Sequence, residues 1–317
     1  MSPSVAIYRS HFGLVREDTG YGSTSSTLGS RYIPVLSYDP GWEDDLERIV
    51  DKGIRGAPSM DFAMYTGVSR TRGGYSHYFY PNEVGVFFGA IFSSGVVSGS
   101  SAPYTHTWGS TDVPQSWTLY DFYGLGAGSS ERKIVGAQME KLEWTYSRAS
   151  GAMTLKPSWV GFPSTDIAET TDSYGTDIPF RGWQAVMSIA GTTNTRILDF
   201  TANFSRSVDL IYGGSNLQAP NAREVGPMEV TGTMSVYAST SLEFDRYVAN
   251  STGNFILTAT DSTNVVTFTA TDFRIEKATV DRGGNYSRWN VNWRALHNAT
   301  DSGPCSVALT VQSSCGF

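Results

Sequence analysis

Cysteine is nearly absent from this chain of 317 residues, which holds only Cys305 and Cys315. Two cysteines are too few for a disulfide framework, and no histidine accompanies them at the spacing of a zinc site. We interpret them as reduced thiols of a cytoplasmic protein, with a clip between them near the C-terminus as the alternative.

Long apolar runs are also missing. No stretch approaches the roughly 18 consecutive apolar residues of a membrane-spanning helix. Residues 1–10 have neither the basic start nor the apolar run of a secretory signal. We therefore expect a protein that is made soluble in the cytoplasm and has no membrane partner.

Charged residues are scarce, at 17% of the chain, whereas about 25% is usual in soluble proteins. So little charge suits a surface that largely meets another chain. The net charge of −7 and the lack of clustered Lys and Arg argue against specific nucleic-acid binding. Hydrophobic residues at 40%, of which many are aromatic, supply ample material for a core and exclude a disordered chain.

Histidine is rare as well, and its positions do not suggest catalysis. None of the four lies near a recognisable nucleophile. His106 has the most site-like surroundings, and we interpret it as a structural histidine in a strand. The other three are His11, His77 and His297.

Acidic and glycine-rich clusters lack the spacing that catalysis or cofactor binding needs. Glu140 and Glu143 are three positions apart, which on a strand places them on opposite faces, where they cannot flank a glycosidic bond. The run Glu43–Asp45 is interpreted as the first turn of a helix, with a metal site as the lesser alternative. Gly124–Ser130 does not match a phosphate loop and is interpreted as a hairpin loop. We expect no enzyme, no cofactor and no metal.

What the sequence does contain is apolar alternation with a period of two, the pattern of β-strands. Short helices are predicted at Trp42–Val50, ending before Gly53, and at Glu83–Phe92. Strands are predicted at Lys133–Tyr146, Gly151–Val160, Gln184–Ile189, Arg196–Leu210, Met228–Ala238, Phe255–Thr260, Val265–Lys277, Ser287–Leu296 and Ser306–Val311.

Two similar halves are predicted. Residues 166–179, rich in Ser, Thr and Asp, are interpreted as a linker. The linker separates an N-terminal domain at 1–165, which begins with an arm at 1–30, from a C-terminal domain at 180–317. A tandem duplication would align Ile134 with Ile197 and Gly151–Leu155 with Gly232–Val236.

This alignment leaves extra residues in a long Gly-, Pro- and Asn-rich loop at 210–227. Because ordering a long loop costs conformational entropy, we expect it to reach a neighbouring subunit. An unstructured surface insertion is the alternative. The candidate contact residues are Tyr212, Asn216, Leu217, Arg223 and Glu224.

A series of segments, in this order, resembles the tail tube proteins of siphophages, particularly those that infect actinobacteria. The resemblance covers roughly residues 31–317, and each segment alone is unspecific. The segments are Leu46–Pro58, Tyr80–Gly85, Ala102–Thr107, Gln115–Asp121, Gly136–Leu142, Arg181–Gly191, Gly226–Gly232, Arg282–Tyr286 and Ala295–Asp301. The first thirty residues and the segment Cys305–Cys315 depart from the family pattern.

The resemblance implies a mainly β fold made of tandem tail-tube β-sandwich or half-barrel domains, each with little helix, that form one continuous β-barrel when rings assemble. It implies a structural virion protein of the phage tail, assembled in the host cytoplasm. Its partners would be further copies of itself, the tape measure protein, the tail terminator and the distal tail protein. Double-stranded DNA would pass through without specific binding. Three chains would form a pseudo-hexameric ring if both halves are tube domains, and six chains otherwise.

Carboxylates that face such a lumen would repel phosphates and keep DNA from adhering. The candidates are Glu140, Glu143 and Glu229, taken as lying on strands equivalent under the duplication.

The main alternative is a carbohydrate-binding or adhesin β-sandwich with exposed Trp platforms. Its candidate platforms are Trp108, Trp117, Trp159 and Trp183. A β-sandwich hydrolase is disfavoured by the missing nucleophile and base. A capsid decoration protein or a baseplate subunit would have a similar composition.

Overall fold

A computed structural model describes residues 10–18, 20–23, 30–53, 61–93, 95–110, 112–122, 131–149, 151–214 and 217–312. This part of the chain is mainly β, and all of its strand pairings are antiparallel. It has two short helices, α1 Gly85–Ile91 and α2 Leu242–Val248, and one 3-10 turn at Gly182–Gln184. No helix among these residues is long and apolar enough to span a bilayer.

The strands are numbered in chain order. In the first half they are β1 His11–Arg16, β2 Arg31–Tyr32, β3 Ser37–Asp51, β4 Ala63–Tyr78, β5 Val96–Ser98, β6 Tyr104–Gly109, β7 Trp117–Phe122, β8 Glu131–Ser147, β9 Thr154–Gly161 and β10 Thr165–Ile167. In the second half they are β11 Ala185–Ile189, β12 Thr192–Thr193, β13 Ile197–Ile211, β14 Ala222–Tyr237, β15 Gly253–Thr260, β16 Val265–Asp281, β17 Arg288–Ala295 and β18 Ser306–Val311.

Eight of the described strands form one continuous sheet across both halves. Their order is β3–β4–β9–β8–β13–β14–β17–β16. The pairing of β8 with β13 joins the halves, from Ser205 opposite Lys141 to Asp199 opposite Ser147. We call this pairing the internal joint.

A second layer covers one side of this sheet. The first half supplies β1, β2, β7 and β10, and the second half supplies β11, β12, β15 and β18, with β6 of the first half paired to β18. Both β8 and β16 are long enough to contribute to both layers. Between the layers lies a single hydrophobic core that includes all of α1 and buried aromatic residues of both halves, such as Trp144, Phe180 and Trp293.

The two halves share a common order of elements. A long hairpin, a short helix and three further strands occur as β3, β4, α1, β7, β8, β9 and again as β13, β14, α2, β15, β16, β17, and the first half has β5 and β6 inserted after α1. The pairings β4–β9, β9–β8, β8–β7 and β7–β1 correspond to β14–β17, β17–β16, β16–β15 and β15–β11. A tandem repeat of one β-unit explains this correspondence.

Bulges support the same correspondence. The hairpin β3–β4 is bulged between Leu46 and Arg48, and β13–β14 is bulged between Arg206 and Val208. The pairs β7–β8 and β15–β16 share a second bulge position, and β8–β9 and β16–β17 share a third. Since bulges are specific features of a sheet, three matched positions define the register of the repeat.

The predicted alignment of the duplication was wrong in register. Gly232 corresponds to Gly73, because each faces a fully buried tryptophan, Trp293 or Trp159. The hairpin β13–β14 is therefore the counterpart of β3–β4 and not of β8–β9. The short matches used in the sequence alignment arise because all of these strands alternate in the same way.

The mainly β fold, the predicted strands and the helix at Glu83–Phe92 are confirmed. The helix predicted at Trp42–Val50 is wrong, because these residues belong to β3 and pair along their length with β4. Strand pairing overrides the local pattern, and Ile49 is 49% exposed. Glu43–Asp45 consequently lies in a strand and not in a first helical turn.

The loop predicted at 210–227 is also shorter than expected. β13 continues to Ile211 and β14 begins at Ala222, so residues 212–221 form the connection. Gly226 and Pro227 belong to β14, where they lie in the bulge between Val225, which faces Val208, and Met228, which faces Arg206.

Candidate assembly surface

The eight-stranded sheet has one apolar side and one polar side. In β8, Leu142 and Trp144 are fully buried, whereas Lys141 and Glu143 are partly exposed. In β13 the same alternation buries Phe204 and exposes part of Ser205. Because side chains alternate along every strand, the sheet carries a continuous polar surface, which we call the polar face.

Opposite charges alternate across the polar face. Arg70 contacts Asp45 at 2.7 Å, and Lys141 contacts Glu143 at 3.0 Å. Further ion pairs join Arg72 to Glu140, Arg288 to Asp281, and Arg294 to both Glu229 and Glu276. Exposed pairs of this kind add little stability, so their main effect is a surface of balanced charge.

The three carboxylates predicted to face a lumen all lie on this polar face. Glu140 and Glu143 were predicted to point to opposite faces, which is wrong. Glu140 lies at the bulge between Met139 and Lys141, which shifts the alternation and places it beside Arg72 of β4, at 3.7 Å. Burial raises the pKa of Glu140, and Arg72 partly offsets that effect.

Glu229 is not the counterpart of Glu140 or Glu143. It lies on β14, opposite Ser205. The counterpart of Glu140 is Glu276, which lies at the matching bulge of β16 between Ile275 and Lys277. The match between Glu140 and Glu276 is visible in the sequence, although not in the alternation of apolar residues. Met139-Glu140-Lys141 and Ile275-Glu276-Lys277 share a Glu-Lys pair, and each precedes a buried tryptophan on the next strand.

Both outer strands of the eight-stranded sheet have an open edge. In the described residues, β3 pairs with β4 alone, and β16 beyond Phe273 pairs with β17 alone. Proteins usually cover or interrupt long edge strands, because free backbone N–H and C=O groups invite pairing with another chain. Two open edges on one sheet suit a subunit that pairs with further copies of itself.

The connection between β13 and β14 crosses to the first half. The Ser69 backbone N–H donates to the Gln218 carbonyl at 3.1 Å, and the Gln218 amide donates to Thr66 Oγ1 at 2.8 Å. Leu217 is 71% exposed. Asn216 lies outside the described residues.

The other predicted loop residues are close to this connection. Tyr212 follows β13 and lies near Arg70, Asp45 and Arg72, while burial raises its pKa. Arg223 is not in a loop, since it belongs to β14 and donates to the side chain of Gln138 and, at 2.9 Å, to the Pro114 carbonyl. Glu224 faces Asp209 within the hairpin.

The residues proposed for other functions are mostly buried. Trp108, Trp117 and Trp159 belong to the core, and only Trp183 of the four candidate sugar platforms is exposed, at 66%. This removes the surface on which the carbohydrate-binding alternative depended. His106 is buried and stacks on Trp108 in β6.

Other reactive groups also have structural surroundings. Among the described residues, no cluster of His, Cys, Asp or Glu is arranged to hold a metal ion. Cys305 is a buried free thiol, whose pKa burial raises, and Cys315 lies outside the described residues.

Comparison with known protein families gives a match. A family model described as phage tail tube protein matches residues 8–310, nearly the whole chain. No individual curated protein matches the sequence.

Proposed function

The chain belongs to the phage tail tube protein family, and from that premise we propose that it is the major tail tube subunit of a long non-contractile tail. Its copies would polymerise into stacked rings that form the channel for DNA. The observation that carries this proposal is the eight-stranded sheet, which has a polar face and two open edges. Pairing the edges around a ring leaves no edge exposed.

The repeat within the chain favours three copies in a ring. Strands lie about 4.8 Å apart and tilt by roughly 35–45° in barrels, so three copies with eight strands each would close a barrel roughly 40–50 Å across. Such a barrel can pass double-stranded DNA lengthwise. Six copies would give about twice that width, far more than the duplex needs.

The polar face would line the channel. Arg70, Lys141, Arg288 and Arg294 of this face are already joined to Asp or Glu in ion pairs, so a phosphate meets few unopposed cations among the described residues. We propose that Glu140, Glu143 and Glu229 contribute by neutralising the neighbouring Arg72, Lys141 and Arg294. DNA would then pass without being held.

The function needs no catalytic group, and the chain would act as a structural protein. It would assemble in the host cytoplasm and function in the virion tail. Its proposed partners are further copies of itself, the tape measure protein inside the growing tube, and the tail terminator and distal tail protein at the ends. The two domains would be residues 1–165 and 180–317, with residues 166–179 between them.

The proposal is tested by expressing the chain alone and imaging concentrated protein by negative-stain electron microscopy. We expect hollow tubes or rings with a central channel. A protein that stays monomeric, even after addition of phage tail initiator components, would contradict the proposed function.

A further inference from the structure

The internal joint offers a template for the contact between two chains. In the repeat, β16 is the counterpart of β8 and β3 is the counterpart of β13. We propose, resting on the tube function above, that β16 of one copy pairs with β3 of the next in the register of the internal joint. The hairpin β3–β4 of that next copy would fill a groove beside β14.

The register on β16 follows from the shared bulge. Met139 faces Trp159 just before the bulge of β8, and Ile275 faces Trp293 just before the bulge of β16. The next paired residue is Lys141 in β8 and Lys277 in β16. Lys277 is therefore the counterpart of Lys141.

The register on β3 follows from the glycines of the neighbouring strands. Trp42 faces Gly73, and Ala202 faces the corresponding Gly232. Trp42 is therefore the counterpart of Ala202, and Asp45 is the counterpart of Ser205. Because Ser205 pairs with Lys141 in the internal joint, Asp45 of the next copy would pair with Lys277.

Side-chain size supports this register. In the internal joint the fully buried Trp144 lies opposite Ala202. The corresponding pair is Val280 with Trp42 of the next copy, so the tryptophan and the smaller residue exchange strands. Val280 is 37% exposed in the single chain, and the pairing would cover it.

Charge supports the register as well. Lys141 has a carboxylate on its own strand, Glu143, at 3.0 Å. The counterpart of Glu143 is Thr279, which cannot neutralise Lys277. The proposed pairing places Asp45 of the next copy directly opposite Lys277, and a cross-strand pair of opposite charges is favourable.

A groove beside β14 has a volume of about 610 Å³. Its lining includes Val225, Met228 and Leu296. Val225 and Met228 are the counterparts of Thr66 and Ser69, the two residues to which Gln218 is hydrogen-bonded. The equivalent place in the first half is thus occupied by the β13–β14 connection of the same chain.

The occupant of the groove follows from the order of the units around a ring. Within the chain, the hairpin connection of the second half contacts the first half. In a ring, the hairpin connection of the unit that follows the second half would contact the second half in the same way. That unit is the first half of the next copy, and its hairpin is β3–β4. Both hairpin connections carry an Ala-Pro pair, at Ala57-Pro58 and at Ala219-Pro220.

Charge at the groove also fits this occupant. Lys52 is the counterpart of Tyr212, since each directly follows its strand. Tyr212 lies near Arg70, whose counterpart is Glu229. Lys52 of the next copy would therefore lie near the carboxylate of Glu229.

The register is tested with paired cysteines in a background in which Cys305→Ala and Cys315→Ser remove the native thiols. Glu43→Cys with Thr279→Cys places two cysteines directly opposite each other across the proposed contact. The Cβ atoms of directly opposite residues are about 4.5–5.5 Å apart, which is close enough for a disulfide to form with a small adjustment. Diagonal neighbours are about 7–8 Å apart, which is too far. Glu43→Cys with Lys277→Cys is the matched diagonal control.

A second control reports on the method itself. Asn203→Cys with Glu143→Cys places the same chemistry at the corresponding pair of the internal joint and should form a disulfide within one chain. After oxidation of assembled protein, we expect the Glu43–Thr279 pair to give covalent dimers and closed trimers on a non-reducing gel, and the diagonal control to stay largely monomeric.

The outcomes separate this inference from the tube function. Tubes in which the diagonal pair cross-links and the direct pair does not would overturn the register and leave the tube function intact. Covalent chains longer than three would overturn closure after three copies. Protein that never assembles, although the internal control forms its disulfide, would overturn both the contact and the tube function.

Discussion

At the scale of single residues, a buried polar cluster joins β1 and β8 of the first half to the residues that follow β10. His11 of β1 contacts Glu131 of β8 at 3.2 Å, and the Thr170 backbone N–H donates to the same carboxylate at 2.6 Å. Tyr32 contacts Thr170 in turn. Burial raises the pKa of Glu131, but these hydrogen bonds outweigh burial and hold it below its ordinary value. The residues after β10 are thereby attached to the first half.

His77 is expected to make stability depend on pH. It is fully buried between Phe12 and Phe87 and contacts the Pro34 carbonyl, and burial lowers its pKa to about 4. The unfolded chain takes up a proton near pH 6.5 that the folded chain cannot accept, so the free energy of unfolding falls as pH drops from 6.5 to 4. The loss is about 3 kcal/mol at most.

This pH dependence is isolated by comparing the wild type with His77→Phe in urea unfolding at several pH values. Asp121, whose pKa burial raises to about 6, acts in the opposite direction, but it is present in both proteins and cancels in the difference. The wild type should lose stability relative to the variant as pH falls. A constant difference from pH 7 to pH 4 would contradict this assignment.

The paired tryptophans Trp159 and Trp293 are expected to be equivalent structural residues. Both are buried and each faces a glycine of a neighbouring strand. Replacing either one by Ala should lower the free energy of unfolding by about 3–5 kcal/mol, because it removes a large buried side chain and leaves a cavity. Trp183→Ala, at a 66% exposed position, should change it by less than about 0.5 kcal/mol. Similar losses at all three positions in denaturant titrations would contradict the packing described.

At the scale of elements, the groove beside β14 should matter for assembly and not for folding. Leu296 is 39% exposed at its wall. Leu296→Glu should leave the thermal midpoint of the isolated chain nearly unchanged and reduce tube formation, since it puts a carboxylate near Glu229 and where the hairpin of the next copy would pack. Val186→Glu, at an exposed position of β11, is the control and should assemble normally. Normal assembly of Leu296→Glu, measured by light scattering and microscopy, would exclude the groove from the contact.

Nine of the 18 described strands, β8, β9, β11 and β13–β18, could be predicted from the sequence because each alternates over its own length. The other strands and the helix α2 were not predicted. The strand β3 could not be predicted, since Leu46, Ile49 and Val50 also fit a short helix and only pairing with β4 decides between the two. The bulges that place Glu140 and Glu276 on the polar face depend on neighbouring strands as well. The carboxylates of the candidate surface could be named individually. Glu140 and Glu229 pair with Arg72 and Arg294 of strands far away in sequence, whereas Lys141 lies on the same strand as Glu143.

At the scale of the whole molecule, the two halves form one sheet because β8 and β13 pair within the chain. The ends of this sheet are β3 and β16, which lie in different halves. In a ring of such units, every second contact between neighbouring units would be the β8–β13 pairing, which is already formed within the chain. Fusing two units in one chain would halve the number of contacts that form between separate molecules.

The balanced charge of the polar face predicts a defect when its carboxylates are reversed. Phage that carry Glu140→Lys, Glu143→Lys and Glu229→Lys together should still form tails but eject DNA more slowly, because each ring gains cations that attract phosphates. The defect should weaken at higher salt. Exchanging exposed carboxylates away from this face, such as Asp166→Lys with Glu169→Lys, is the control. Ejection at the wild-type rate, followed by release of dye-labelled DNA, would remove these carboxylates from the proposed lumen.

The most direct test of the account is the mass of a single ring, measured by mass photometry on rings from the purified chain. Three copies of the 34.5 kDa chain are expected, because each copy contributes two repeats and eight strands of the barrel. A ring of six copies would contradict the arrangement in which both halves of the chain line one channel.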